Sequence, residues 1–397
     1  MNILLIGNGF DLAHHLPTTY KDFLNFLERI HPKNAVHHKQ LNNSIEELIN
    51  NTINKAVLER MRNLYINNLW YHYFLQRNNI SPNWCDFENE IEYITNELQV
   101  TKKFLSKKRR EASGRLPFTE KPFLKIAISA FYFDVWQRKK DTLTFHMPYS
   151  ELNEMPQTAF LTYGTNYTDN DLAYKIQNKS YGTIAFEHLL KFIILQLNEF
   201  TKCFELYLSN FVGKLDVPKI KFIDKILQPN IPNIISFNYT DTISKYITIP
   251  DDNISFIHGK AVENEHNNLV LGIDEKESNT DPQFIRLKKY FQRYEKGCDN
   301  KYYKWIKEIT YQNKVYRIQP THNLLIIGHS LTLSDREILY KLITLNEMHT
   351  SIYYHSEESK IELMQNLAAI LGQENFTNLT LNEKICFIQG AFNEIEN

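Results

Sequence analysis

The chain has 397 residues, of which 43% are hydrophobic and 23% charged, and its net charge is −1. Those proportions belong to a folded globular polypeptide of one large domain or two, and nothing in the overall charge points to a globally basic nucleic-acid binder. The mean hydropathy is −0.43, and the longest apolar run, residues 184–197, is broken by Glu187, His188 and Lys191, short of the roughly 20 apolar residues that a membrane span needs.

The chain opens on a short apolar run, residues 2–6, followed at once by Gly7-Asn-Gly-Phe-Asp11. An apolar, partly β-branched run ending in Gly-x-Gly reads as a buried parallel strand entering a turn. Glycines there let backbone N–H groups approach a phosphate, or simply permit a tight strand-to-loop turn. Leu12 stands where the full dinucleotide fingerprint has its third glycine, and Pro17 follows soon, so no clear helix is expected to open at Gly9. Apolar residues at helical spacing predict a helix over 19–30, one or two over 42–80, and others over 84–98, 117–137 and 181–211. Ser81-Pro82 reads as the start of the 84–98 helix, and the Tyr- and Asn-rich residues 141–180 as a loop or lid. Beyond Pro229 the texture changes. Strands are expected at 233–237, 254–258, 269–271, 323–327 and 351–354, with helices at 282–296, 301–311, 334–345 and 357–371. Strand–helix alternation predicts an α/β fold with a Rossmann-like parallel sheet covered on both faces. The first strand has no partner before residue 233. Residues 1–30 and 230–397 are therefore expected to form the sheet domain, and 31–229 a mostly helical insertion.

Ligands of open parallel sheets bind beyond the strands' carboxyl ends. The expected ends carry Gly7-Asn-Gly-Phe-Asp11, Asn238-Tyr-Thr-Asp241, His258-Gly259, Gly272-Ile-Asp274 and Gly328-His-Ser-Leu331, with Ser334-Asp335 opening a helix. Each has a bland reading as turn or cap chemistry, but a sheet built only for stability does not require Asn, His and Asp along one rim. Asp86, Glu88, Glu90 and Glu92 read as acids favoured by a helix N-terminus. Lys107-Lys-Arg-Arg110 reads as a solvated helix end, so no clear nucleic-acid signal emerges. His14-His15 and His37-His38 are neighbours that rarely face one ion, and no metal is expected. Cys85, Cys203, Cys298 and Cys386 lie far apart without a Cys-x-x-Cys pair, and the first strand begins too early for a secretory leader, so a reducing cytoplasm is expected.

The opening from Gly7 to His14, the Leu16-Pro-Thr-x-Tyr20 after it, Trp84-x-Asp86-x-Glu88, and Gly328-His-Ser-Leu331 followed by Asp335 resemble the AbiH family of bacteriophage abortive-infection proteins. In order along the chain, the rim motifs are also similar to a sirtuin-like NAD-binding domain. Sirtuins carry Gly-Ala-Gly-Ile-Ser with Gly-Ile-Pro at the offset of His15-Leu16-Pro17, Thr-Gln-Asn where this chain has Ser236-Phe-Asn238, His-Gly at His258-Gly259, and Gly-Thr-Ser-Leu at Gly328-Leu331. The chain departs from that pattern with His15 for Gly, Asp11 for Ser and Thr240 for Asp, and it has no zinc-ribbon cysteines, which argues against protein deacetylation. The resemblance implies a phage-defence effector that hydrolyses NAD at the nicotinamide–ribose bond. The alternative is a sensing module for NAD or ADP-ribose, with the insertion as its partner-binding surface. On the enzyme reading, Asn238 positions ribose or water and His258 is the general base. Gly7, Asn8, Gly9 and Gly328 approach the pyrophosphate, and Ser330 bonds phosphate or ribose. Phe10 and Pro17 wall the nicotinamide pocket, while Asp11 and His329 complete the cofactor loops. Asp335 reaches the adenosine ribose or caps its helix. Expected partners are the nucleotide, a phage-derived trigger protein and, by analogy with regulated defence hydrolases, a second copy of the chain.

Overall fold

A computed structural model describes residues 1–32, 49, 51–80, 86–108, 123–124, 127, 182–227, 233–274, 281–298, 300–316 and 320–392. The expectations for residues 141–180, for most of 117–137 and for Ser81-Pro82 lie outside the described residues.

Strand β1 (Asn2–Ile6) leads directly into a six-residue helix, α1 (Asn8–Ala13), so a helix does open at the glycine turn despite Pro17. It is followed by α2 (Tyr20–Arg29), whose N-terminus is fixed by a reciprocal box between Thr19 and Asp22. The next apolar stretch divides into α3 (Lys55–Tyr65) and α4 (Leu69–Ile80). Next come α5 (Phe87–Lys108), α6 (Gly182–Asn210) and α7 (Lys221–Leu227). The later half holds β2 (Asn233–Ser236), β3 (Ile254–Phe256), α8 (Lys289–Glu295), α9 (Lys301–Val315), β4 (His322–Ile327), α10 (Arg336–Ile343), β5 (Met348–Tyr354), α11 (Glu357–Leu371), α12 (Gln373–Leu381) and β6 (Ile385–Gln389).

The strands form one six-stranded sheet in the order β3-β2-β1-β4-β5-β6, with every neighbouring pair parallel. This is the strand order of a doubly wound nucleotide-binding sheet, with β1 and β4 flanking the point where chain direction across the sheet reverses. Alternation along β1 divides its side chains. Ile3 and Leu5 join a core with α9, α10 and α11 on one face, while Leu4 and Ile6 join Phe10 and α7 on the other. Helices α2 to α6 build a third core rich in aromatic rings, in which Leu269, Leu271, Phe284 and Leu287 are also packed.

Residues 269–271 are fully buried, as expected, but they are not a strand. Their backbone is satisfied by other groups. Val270 N–H donates to His258 O at 2.9 Å, Leu271 N–H donates to Gln292 Oε1 at 3.0 Å, Gln292 Nε2 donates to Leu271 O at 2.9 Å, and the Tyr239 hydroxyl donates to Val270 O at 2.8 Å. A continuous apolar triplet has the same sequence signature in either setting. The 282–296 helix is likewise two pieces, a 3-10 stretch at Pro282–Leu287 and then α8.

Candidate functional site

Because the strands are all parallel, their carboxyl ends share one rim. The loops there bring Asp11, Asn238, His258, His329 and Asp335 into a buried polar zone, each 8% exposed or less. Asn238 and His258 follow the adjacent strands β2 and β3. Phe237 lies between the imidazoles, its ring 5.4 Å from that of His258 and 4.5 Å from that of His329.

Asp335 is the hub. It stands at the N-cap of α10, yet its carboxylate makes no capping hydrogen bond. Instead it turns inward. Its Oδ1 lies 3.3 Å from Lys289 Nζ and 3.2 Å from His258 Nε2, and its Oδ2 lies 3.4 Å from His329 Nε2. The Leu331 N–H donates to His329 Nδ1 at 2.9 Å, which places the ring proton on Nε2, the nitrogen facing Asp335. Lys289 is 1% exposed and also pairs with Glu88 Oε2 of α5 at 2.7 Å. Burial works against every charge here. For Asp335 that penalty is overcome by Lys289 and then by His258, which hold the carboxyl well below the usual carboxylate range. For Lys289 it is overcome by Asp335 and Glu88, which hold the ammonium above its ordinary value. Burial, then the Lys289 charge, pushes His258 down to about 4, so its imidazole is neutral at pH 7. Burial lifts Glu88 to about 7 and Asp274 to about 6, each moderated by Lys289.

Beside this ion cluster the rim has unspent hydrogen-bonding capacity. The Asn238 side chain is 4% exposed, and neither its Oδ1 nor its Nδ2 meets hydrogen-bond geometry with a described residue, although the amide is close enough to Asp11 to favour its carboxylate. The same holds for Asp11 Oδ1 and for His258 Nε2, whose 3.2 Å approach to Asp335 lacks the alignment of a hydrogen bond. Asp11 Oδ2 accepts from the Thr240 hydroxyl, and Thr242 Oγ1 donates to Thr240 Oγ1 at 3.2 Å. Burial raises the Asp11 carboxyl to about 6 against these hydroxyls and the neighbouring Asn238. Buried polar atoms without partners are uncommon in folded proteins and mark places where water or a ligand completes the bonding.

The glycine loops sit differently from the expectation. Gly7 N–H donates to Ile327 O at 3.1 Å and Gly9 N–H to Gly328 O at 2.7 Å, so those two donors face backbone. A Cβ on Gly7 would stand 2.6 Å from His329 Cα, and one on Gly9 would stand 2.7 Å from Gly328 Cα. The two loops need glycine because they touch each other. Phe10 is fully buried in the core with His14 and Tyr246, and Asn8 Oδ1 accepts from the Thr18 hydroxyl at 2.7 Å. Pro17 is half-buried and its carbonyl accepts from the Tyr207 hydroxyl at 2.7 Å. Ser330 is exposed. His15 takes φ +57, so the turn keeps the left-handed backbone expected of glycine.

Sequence reasoning did not single out Lys289, and it assigned Glu88 to a helix N-terminus. In the acidic set, Asp86 caps α5 through Asn89 N–H at 3.0 Å and Glu90 binds the Tyr73 hydroxyl at 2.5 Å, while Glu88 reaches the hub. The Trp84-x-Asp86-x-Glu88 motif was the only sequence signal for Glu88. Nothing local separates Lys289 from Lys288 beside it. Among the described residues no His, Cys, Asp and Glu group has metal-binding geometry, and no helix is long and apolar enough to cross a membrane.

No curated protein matches the chain. The family model described as bacteriophage abortive infection AbiH matches residues 3–355.

Proposed function

We propose, for a chain that belongs to the AbiH family of bacteriophage abortive-infection proteins, that the rim binds NAD and hydrolyses its nicotinamide–ribose bond. The observation that carries this reading is the buried Asn238 amide, whose donor and acceptor are both unspent beside Asp11 and His258. A ribose hydroxyl or attacking water needs such a group, since an amide can donate and accept at once. The Rossmann order of the sheet supports a dinucleotide at this rim. So does a reciprocal exchange at two of the departures from the sirtuin pattern. Asp11 replaces a hydroxyl and Thr240 replaces a carboxylate, and the two are hydrogen-bonded to each other.

The chemistry follows from the residues. The C–N bond breaks as nicotinamide leaves with its electron pair, and the ribosyl carbon acquires oxocarbenium character. Water adds to that carbon and gives up a proton, leaving ADP-ribose. Water bonded to such a cation is strongly acidic, so a weak base suffices. Neutral His258 fits that task, and Asp335 at 3.2 Å stabilises the imidazolium that forms. The carboxylates of Asp335 and Asp11 also favour positive charge developing nearby.

A second reading is a nucleotide sensor without turnover. The observation favouring it is that Gly7 and Gly9 direct their N–H groups at backbone carbonyls. The two are separated by incubating purified protein with NAD, alone and with candidate phage proteins, and measuring free nicotinamide. Hydrolysis should fall at least ~100-fold in Asn238→Ala and His258→Ala, with unchanged circular dichroism. Undiminished release by His258→Ala would remove it from the mechanism, and binding without release by the parent protein would leave the sensor.

A further inference from the structure

We infer that α9 presents a docking face for single-stranded nucleic acid, separate from the rim. The helix spans Lys301–Val315 and buries Trp305 and Ile309 against the sheet. Its opposite side is exposed. Tyr303 is 45% and Tyr311 67% exposed, and Lys304, Lys307 and Lys314 are exposed with them. At 3.6 residues per turn these five side chains fall within roughly 100° of one another, in a stripe about 16 Å long. Tyr316, just beyond the helix, is 58% exposed.

Three observations give the stripe its chemistry. First, no carboxylate pairs with Lys304, Lys307 or Lys314 among the described residues, whereas Lys341 of the neighbouring α10 is paired with Glu337 at 2.7 Å. Glu308, at the margin of the stripe, accepts from Gln312 Nε2 at 3.2 Å and pairs with none of these lysines. Second, Lys307 Nζ lies 4.9 Å from the Tyr303 ring centroid, so cation and ring are held together. Third, the exposed rings are tyrosines, while the only Trp of the helix is buried.

Lysine is depleted at protein–protein interfaces, and an interfacial membrane helix exposes Leu, Phe or Trp. Unpaired lysines interleaved with flat rings match the demands of a single strand, phosphates for the cations and base faces for stacking. A stacked strand sets about five phosphates along 16 Å. The near-neutral total charge conceals this face, because Glu308 is the one acid of the helix and the other acids lie elsewhere on the chain.

The test uses the full chain with fluorescein-labelled dT20 and rU20, a duplex of equal length, polyglutamate, and vesicles carrying anionic lipid. The face predicts binding of both single strands at low salt. The triple variant K304Q/K307Q/K314Q should weaken it and reduce the slope of log affinity against log salt by about 2. Tyr303→Ala and Tyr311→Ala should each weaken it about tenfold. All five side chains are exposed, and a melting curve verifies folding. The proposal is overturned if neither strand binds, if both variant sets bind as the parent does, or if polyglutamate or vesicles compete for or occupy the face equally well. These readouts do not involve NAD.

Discussion

Asp335 gathers an ammonium and two imidazoles on one buried carboxylate, and the ionisation of Lys289 and His258 depends on it. Removing one member of such a set leaves a buried charge poorly compensated, which typically costs about 3–5 kcal/mol. Lys289→Met should therefore lower stability by about that amount in a denaturant titration. The same change removes the cation that, after burial, pushes His258 down to about 4. The imidazole's NMR midpoint should rise toward its ordinary value, and a midpoint still near 4 would make burial the sole cause. Asp11 behaves in the opposite sense. Its folded carboxyl lies at about 6, above the ordinary 3.8. Its contribution is therefore complete below 3.8 and is lost as pH rises through 6. Asp11→Asn cannot ionise and escapes that loss. The variant's melting temperature relative to the parent should climb between about pH 4 and 6, and a pH-independent difference would refute the raised carboxyl. Little of this electrostatic arrangement was legible in the sequence. Asn238 and His258 were singled out because each follows a strand, and Asp335 because it opens the helix beyond the loop after β4. Lys289 was not, because its partners Glu88 and Asp335 lie 201 and 46 residues away in sequence.

At the level of elements, the loops after β1 and β4 are fitted to each other through glycine. Gly328 has φ +67, and a Cβ there would meet Phe10 N at 2.1 Å. Gly328→Ala should cost at least about 1–3 kcal/mol through overpacking alone, with left-handed strain in addition. An unshifted urea midpoint would show that the loops can part freely. Strands β1, β2 and β4 were legible because continuous apolar runs are the signature of a strand buried on both faces. The edge strand β6 was not. Its apolar stretch is only Ile385–Ile388, and in the fold Ile385 is buried, Phe387 half-buried and Cys386 and Ile388 exposed, too short a run to separate a strand from a helix end. The 269–271 segment was misread for the reverse reason. It is as apolar as a central strand, but its amides are taken by Gln292 and by the backbone of His258.

For the whole molecule, the helical and sheet regions meet at the rim through chemistry as well as packing. Glu88 on α5 reaches Lys289, and Lys289 reaches Asp335 at the end of the sheet. Tyr20 and Phe87 stack at 4.1 Å nearby. The α/β class and its strand alternation were readable from periodicity, whereas the closure of α5 over the rim depends on side chains distant in sequence. If the rim hydrolyses NAD, the open bonds of Asn238 and Asp11 at the strand ends belong to a nucleotide ribose. A crystal structure of the protein with ADP-ribose tests it most directly. The expected result is the ribose that carries nicotinamide in NAD within hydrogen-bonding distance of the Asn238 amide, with His258 facing its anomeric carbon. A nucleotide bound away from the ends of β2 and β3, with the Asn238 amide still unpartnered, would contradict it.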